Sequence, residues 1–330
     1  MARFNAKKLK HIAVLTSGGD APGMNAAIRA VVRVGINNGL AVTAVLHGYE
    51  GLIRREFQKL EAGSVANVIQ RGGTIIKTGR CKEFYSPKGR ALVARNFLEA
   101  GFDGLVAIGG DGTFTGAHAL WLEQGIPVVG VPGTIDNDVY GTDYTIGFDT
   151  AVNTALDAID KIRDTAASHD RLFIVEVMGR NSGHIALEVG LSAGAEEVFI
   201  PENKVSIKNV CDQIQRGINR GKKSSILICA EGHTPGQSYE IAKKIKKIGG
   251  YEAKICILGH IQRGGSPTAS DRNLASRLGA AAVHFLKAGQ TDIMAGEINK
   301  KIVAVPLKDT FGKKKGIHAD WLKLEKTLSI

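Results

Sequence analysis

Leu105-Val106-Ala107-Ile108-Gly109-Gly110-Asp111-Gly112-Thr113 runs from a short apolar segment into a glycine-rich turn and on into a stretch with helical spacing. The apolar segment is the length of a strand buried on both faces and too short for a core helix. A strand that ends in glycines and leads into a helix is the repeating unit of a parallel α/β sheet. In such sheets ligands bind beyond the carboxyl ends of the strands.

Working outward, the same order recurs along the chain. Strands are predicted at 11–16, 41–46, 104–108, 127–131, 172–177, 224–230 and 254–258, and helices at 22–37, 88–100, 113–123, 149–165, 206–220, 238–247 and 270–287. The first helix is expected to start at Asp20 and Pro22, bury Ala26, Ala27, Ala30, Val31 and Val34, and stop at Asn37-Asn38-Gly39. No Pro, Gly or Ser-rich linker divides the chain, and no fixed-period repeat is evident.

At 330 residues, 44% hydrophobic and 23% charged, the chain can fill one large or two medium cores. Apolar runs such as Ile12 to Leu15 fall far short of the ~20 residues of a membrane helix, so no span is expected. The basic start, Met1 to Lys8, lacks the apolar stretch of a signal peptide, which makes the cytoplasm the default location. Cys81, Cys211, Cys229 and Cys256 form no Cys-x-x-Cys pair, and suggest neither a disulfide framework nor a zinc site. The net charge of +11 is spread over lysine runs such as Lys313-Lys314-Lys315, without interleaved aromatics. That argues against a nucleic-acid partner. Arg80, Arg171, Arg180 and Arg263 instead stand singly beside glycines or at element ends, a placement suited to phosphate recognition.

The strand ends carry the chemistry. Thr16-Ser17-Gly18-Gly19-Asp20-Ala21-Pro22-Gly23 precedes a helix, so its glycines can bring backbone amides close to an anion. In Gly109 to Thr113, Thr113 offers a hydroxyl and Asp111 can hold a magnesium ion through its waters. A plain capped turn would not need three glycines around one carboxylate. A dinucleotide fingerprint fails, because Gly116 comes one residue late after Gly112. Gly217 to Ser224 imitates a P-loop but is one residue short between its glycines and precedes a strand. A further strand end, Pro132-Gly133-Thr134-Ile135-Asp136-Asn137-Asp138, presents two carboxylates two residues apart. Phosphoryl transfer to an alcohol needs one such group to orient the hydroxyl and accept its proton. An Asx-turn with solvated acids is the bland alternative.

Together with Glu176-Val177-Met178-Gly179-Arg180 and Leu258-Gly259-His260-Ile261-Gln262-Arg263-Gly264-Gly265-Ser266-Pro267, these motifs resemble the bacterial ATP-dependent 6-phosphofructokinase family, in the expected order over nearly the whole chain. The Gly-Gly-Asp-Gly-Thr motif alone is shared with NAD and diacylglycerol kinases. The resemblance implies an α/β fold of two Rossmann-like three-layer α/β/α domains with mainly parallel sheets, the chain crossing between them. Residues 1–147 and 262–312 would bind ATP, and 148–261 and 313–330 the sugar phosphate.

By the same resemblance, Gly19, Arg80, Cys81, Gly110, Asp111, Gly112 and Thr113 would contact ATP, with Asp111 at Mg2+. Asp136 would be the base acting on the 1-hydroxyl of fructose 6-phosphate, supported by Thr134 and Asp138, and Arg180 would stabilise the transferring phosphoryl group. Met178, Gly179, Glu231 and His260 would hold the sugar, and Arg263 its 6-phosphate, together with Arg171 from a neighbouring subunit of a homotetramer. Lys254 stands where the family commonly has a second cross-subunit arginine, keeping the charge but losing the bidentate fork. Arg29, Arg33, Arg163, Gly194, Glu196, Arg220 and Lys222 match a site for an ADP or phosphoenolpyruvate effector. Ala62, Gly63 and Asn67 depart from that site's usual basic residue, tyrosine and acid.

Two rivals are weighed. Pyrophosphate-dependent phosphofructokinases carry Asp where Gly112 stands and Lys where Gly133 stands, so glycine at both points to ATP. A catalytically silent regulatory subunit would have lost an acid or arginine, yet Asp111, Asp136, Asp138, Arg171 and Arg180 are all present.

Overall fold

The structure, a computed structural model, describes residues 9–168, 171–232 and 235–329, so the basic start at 1–8 lies outside it. The chain divides into two units: Met1–Thr134, Val139–Asp149 and Arg263–Lys315 in the first, and Ile135–Asp138, Thr150–Gln262 and Gly316–Ile330 in the second. Residues 135–138, placed with the first segment by the sequence reading, group with the second unit.

The first unit contains β1 (His11–Thr16), α1 (Met24–Asn37), β2 (Ala41–Val45), α2 (Tyr49–Arg54), β3 (Phe57–Leu60), α3 (Pro87–Glu99), β4 (Gly104–Gly109), α4 (Asp111–Gln124) and β5 (Val128–Pro132). The second contains most of α5 (Phe148–Ser168), then β6 (Leu172–Val177), α6 (His184–Ala193), β7 (Glu197–Phe199), α7 (Ile207–Asn219), β8 (Ser225–Ala230), α8 (Gln237–Gly249) and β9 (Ala253–Ile257). The chain then gives the first unit α9 (Ala269–Lys287), β10 (Ile293–Ile298), β11 (Lys301–Pro306) and α10 (Leu307–Gly312), and ends in the second with α11 (Ala319–Leu328).

The first sheet has the order β11-β10-β5-β4-β1-β2-β3. Its central strands pair in parallel, while β2–β3 and β10–β11 are antiparallel. Every residue of β4 and β5 is buried, as strands covered on both faces must be. On one face Ala13, Leu15, Leu105 and Ala107 pack with Phe97, Phe114 and Leu120 of α3 and α4. On the other lie α1 and α9, pressed so close at Gly279 that a Cβ there would come within 2.7 Å of the Ala27 carbonyl. The chain leaves β1 towards β2 on one side and returns through β4 on the other. This reversal makes the β1/β4 edge a topological switch point, where α/β sheets bind ligands. The register sets Gly109 beside Pro132 and Thr16 beside Ile108, so three adjacent strands end level.

The second sheet, β7-β8-β6-β9, is parallel throughout. Leu172, Ile174, Leu227 and Cys229 face Val210, Ile214, Ile241 and Ile245 of α7 and α8. On the opposite face α6 approaches β7 closely, with Gly190 against Val198.

The predicted first helix needs a correction at its start. It begins at Met24, with Gly23 in the left-handed region (φ 106°) at the N-cap and no side-chain cap, so Asp20 does not cap it. The hairpin β10–β11 was not predicted. Its two turn residues, Asn299 and Lys300, both take positive φ (50° and 63°), the conformation of a two-residue hairpin turn that is normally signalled by Asn-Gly. Helix α6 was missed because its first four residues are all buried and it shows no polar face from which to read a period. Among the described residues no helix is long and apolar enough to cross a membrane.

At the end of the chain, Glu325 of α11 is 4% exposed. Burial, with the Glu197 carboxylate adding to it, pushes its acid up from 4.5 to about 7. A carboxyl that holds its proton more tightly when folded costs stability as the pH rises above 4.5, and the cost is complete above about 7. Glu325→Gln is therefore expected to raise the melting temperature by a few degrees at pH 8 and far less at pH 5, measured by calorimetry at both.

Candidate active site

The site is built first from the ends of β1, β4 and β5. Thr113, in the first turn of α4 and 3% exposed, donates its hydroxyl to the Ser17 carbonyl at 3.0 Å, tying the two glycine loops together. The hydroxyl expected to face a ligand is thus engaged in holding the loop. Gly109 has no room for a side chain, because a Cβ would lie 2.3 Å from Thr113 Oγ1 and 2.5 Å from the Ser17 carbonyl. Gly110, Asp111 and Gly112 then open α4 at the positive end of the helix dipole, an arrangement that attracts anions.

Asp111 and Gly112 are exposed. A single exposed carboxylate at this helix start, with no group of three His, Cys, Asp or Glu among the described residues, suits Mg2+. That ion is commonly held by one or two carboxylates and completed by phosphate oxygens and water. A Cβ at Gly112 would meet nothing within 4 Å, so the fold itself does not demand glycine there. Gly133 differs, since a Cβ would lie 3.0 Å from both Ile108 and Met24, and packing alone favours glycine. Of the two glycines singled out in the sequence, Gly112 is therefore the one that packing does not explain.

Arg80 and Cys81 follow a segment fastened to β1 by buried polar groups. Thr16 donates its hydroxyl to the Lys77 carbonyl at 2.6 Å, Thr78 to the Gly18 carbonyl at 2.9 Å, and the Gly18 amide donates to the Gly79 carbonyl at 3.3 Å. Asn25, 1% exposed, accepts from the Ile75 amide and donates to the carbonyls of Arg71 and Gly72. Beyond Cys81, Phe84 stacks on Tyr49 at 3.9 Å. The Tyr49 hydroxyl, kept protonated by complete burial, donates to the Thr113 carbonyl at 2.7 Å. Arg263 belongs to this unit as well, with one guanidinium N–H on the Asp20 carbonyl at 3.1 Å and its head filling the space where a Cβ on Gly19 would lie. Thr134 lies over Gly110 and accepts the Thr145 hydroxyl on its carbonyl at 2.6 Å.

The second unit gathers Asp136, Asn137 and Asp138 with the loop after β6. Asp136 is 5% exposed, and Asn137 takes φ 51°, a left-handed conformation that Asn tolerates better than most residues. Met178 and Gly179 are buried, and Arg180 is exposed at φ 51°, a second non-glycine residue held in the left-handed region. A turn from Gly179 to Ser182 fixes that conformation, and the Ser182 hydroxyl donates to the Asp136 carbonyl at 2.9 Å. The Arg180 turn is thereby anchored to the backbone of Asp136. Glu231 Oε1 accepts the Arg180 amide at 3.2 Å, and Gln262, fully buried, accepts the Met178 amide at 2.8 Å. Gln262 sits in the 3₁₀ turn Gly259–Arg263, which presents His260 at the surface.

Arg171 and Lys254 lie elsewhere. Arg171 precedes the first residue of β6, and Lys254 pairs with Phe173 near that same amino end. At about 3.3 Å per residue along β6, Arg171 lies roughly 23 Å and the level of Lys254 roughly 17 Å from Met178. Within one chain they cannot reach a ligand held at the carboxyl end of β6.

Of the effector candidates, Arg163 donates to the carbonyls of Ala193 and Gly194, and the buried Glu196 carboxylate pairs with Lys222 and accepts the Ile226 amide. Arg220 caps the carboxyl end of α7. Arg29 and Arg33 belong to α1 in the first unit.

Sequence reading missed Asn25, Tyr49, Phe84 and Ser182. For Asn25 a signal existed, an amide standing on the apolar face of the first helix. For the others the partner is distant in the chain, and nothing local announces it.

A family model described as Phosphofructokinase matches residues 11–286. The chain is 55% identical over 322 residues to "ATP-dependent 6-phosphofructokinase 1" of Thermus thermophilus, covering 98% of this chain and 100% of that protein. It is 52% identical, with the same coverage, to "ATP-dependent 6-phosphofructokinase" of Halalkalibacterium halodurans. Among solved structures, phosphofructokinase from Saccharomyces cerevisiae superposes with a TM-score of 0.86 at 38% identity, over 92% of this chain and 45% of that one, so this chain spans less than half of the yeast chain. A pyrophosphate-dependent phosphofructokinase from Marinobacter aquaeolei superposes with a TM-score of 0.82 over 97% of this chain and 91% of that one; at 22% identity it speaks to the fold alone.

Proposed function

The chain belongs to the phosphofructokinase family, and on that premise we propose how its residues divide the work of phosphorylating fructose 6-phosphate at the 1-hydroxyl with ATP. The products are fructose 1,6-bisphosphate and ADP. Relatives named ATP-dependent, at 52–55% identity over their full length, favour ATP over pyrophosphate, as does the open space at Gly112.

Gly110, Asp111, Gly112 and Thr113 hold the phosphates of ATP at the start of α4, where the helix dipole favours anions, with Gly19, Arg80 and Cys81 contributing from the neighbouring loops. Asp111 would hold Mg2+, which when bound neutralises charge on the phosphates. Asp136 accepts the proton of the 1-hydroxyl, with Thr134 and Asp138 orienting it. Arg180 stabilises the charge that develops on the transferring phosphoryl group. The observation that carries this assignment is the Ser182 to Asp136 hydrogen bond, which keeps the turn of Arg180 beside the proposed base.

Met178, Gly179, Glu231 and His260 hold the sugar, and Arg263 its 6-phosphate. Arg171 and Lys254 serve the same phosphate in a neighbouring subunit, a role supported by their place at the opposite end of β6 and β9. The enzyme then works as a homotetramer, with Lys254 a weaker phosphate contact than an arginine. Arg163, Gly194, Glu196, Arg220 and Lys222, with Arg29 and Arg33, bind an ADP or phosphoenolpyruvate effector, and Ala62, Gly63 and Asn67 alter its grip.

Asp136→Ser is expected to lower kcat by about 10²–10⁴-fold with little change in sugar-phosphate binding. A loss of less than tenfold in a coupled assay would remove Asp136 as the base. Subunit sharing has its own test. Arg171→Ala and Asp136→Ser proteins are each expected to be weak, yet refolding them together should restore activity, because a mixed assembly contains sites with both residues intact. Activity no higher than the sum of the two parents would show that Arg171 acts within its own subunit or not at all.

A further inference from the structure

Glu176 has no assigned part in the reaction, yet its buried carboxylate accepts three hydrogen bonds. It stands next to last in β6, two residues before Met178, and is 1% exposed. Its Oε1 accepts the Gly236 amide at 2.6 Å, and its Oε2 accepts both the amide (2.9 Å) and the hydroxyl (2.6 Å) of Ser238. Ser238 is itself fully buried.

These bonds join the end of β6 to the start of α8. Helix α8 has Gly236 in the left-handed region (φ 104°) at its N-cap and receives no cap from that residue's own side chain. The carboxylate from the strand supplies what the local sequence lacks, placing negative charge at the positive end of the helix. A charged group buried this deeply is stable only when its oxygens are met by donors, and three are supplied.

The clamp grips the same stretch of chain that carries the sugar contacts. Directly after Glu176 come Val177, whose carbonyl accepts the Glu231 amide at 2.9 Å, and Met178, whose amide is held by Gln262. Glu231 in turn accepts the Arg180 amide. On its other flank the Glu176 carbonyl accepts the Leu258 amide at 3.0 Å, at the entry to the turn that bears His260. Glu176 itself therefore holds the start of α8 and the entry to the His260 turn, and the two residues that follow it hold Glu231 and Gln262.

We infer that Glu176 is a positioning residue for the sugar phosphate, fixing the β6 end and the start of α8 so that Met178, Gly179, Glu231 and His260 are presented together. This rests on the assignment of those residues to the sugar. Because the clamp and its partners lie in the second unit, while the residues proposed for ATP lie in the first, its loss should weaken one substrate and spare the other.

The test is steady-state kinetics on full-length Glu176→Gln and Ser238→Ala, varying fructose 6-phosphate and ATP separately beside the unmodified protein. Glutamine turns an NH2 towards at least one of the three donors, whereas Ser238→Ala removes one donor and keeps the carboxylate. KM for fructose 6-phosphate should rise about tenfold in Glu176→Gln, the size of one lost charge-assisted hydrogen bond, and by a smaller factor in Ser238→Ala. KM for ATP should stay within about twofold in both. An unchanged sugar KM, or equal rises for the two substrates, would reduce Glu176 to a structural residue. Should Glu176→Gln fail to fold, Ser238→Ala decides by the same criterion. No turnover of fructose 6-phosphate by the unmodified protein would instead overturn the functional assignment itself.

Discussion

The Thr113 hydroxyl on the Ser17 carbonyl is the interaction on which the strand ends of the first unit depend. Strands β1 and β4 are adjacent and end level, so the loops leaving them must be kept from collapsing onto each other or splaying apart. One hydrogen bond at 3.0 Å does this and excludes any side chain at Gly109. Leaving the buried Ser17 carbonyl without it would cost on the order of 1–3 kcal/mol. With Thr113 committed to this bond, its hydroxyl serves to hold the two loops in place.

The same economy recurs wherever a loop must be held. Asn25 fastens the 71–75 segment, Ser182 fastens the Arg180 turn to Asp136, and Gln262 and Glu176 fasten the end of β6. Each is a buried polar side chain that satisfies backbone groups a loop cannot satisfy for itself. Asp111, Arg180 and His260 are by contrast exposed. Arg180 also carries a left-handed backbone at φ 51° that only its tightly bonded turn sustains.

Much of this could be read before any coordinates. Parallel strands covered on both faces read as short apolar runs, and β1, β2, β4, β5, β6 and β8 were recognisable as such, as was β9 although none of its residues is buried. Asp136 and Gly112 were legible as residues to single out from the sequence, and the roles given to them are those proposed above. The hairpin β10–β11 was not, because Asn299 and Lys300 adopt positive φ without the glycine that usually marks it. Helix α6 hid because burial left it no polar stripe. Ser182 and Glu176 hid for a different reason: their partners lie 46 and 62 residues away, and only folding brings them together. Thr113 was expected in the glycine loop, but it stands in the first turn of α4 and its hydroxyl turns inward to Ser17.

The central claim is that this cradle takes ATP and delivers its terminal phosphoryl group to fructose 6-phosphate. The most direct test is a coupled assay of the full-length protein with fructose 6-phosphate and Mg2+, run in parallel with ATP and with pyrophosphate as donor. The account predicts rapid formation of fructose 1,6-bisphosphate with ATP and none above background with pyrophosphate. Turnover with pyrophosphate alone, or with neither donor, would contradict it.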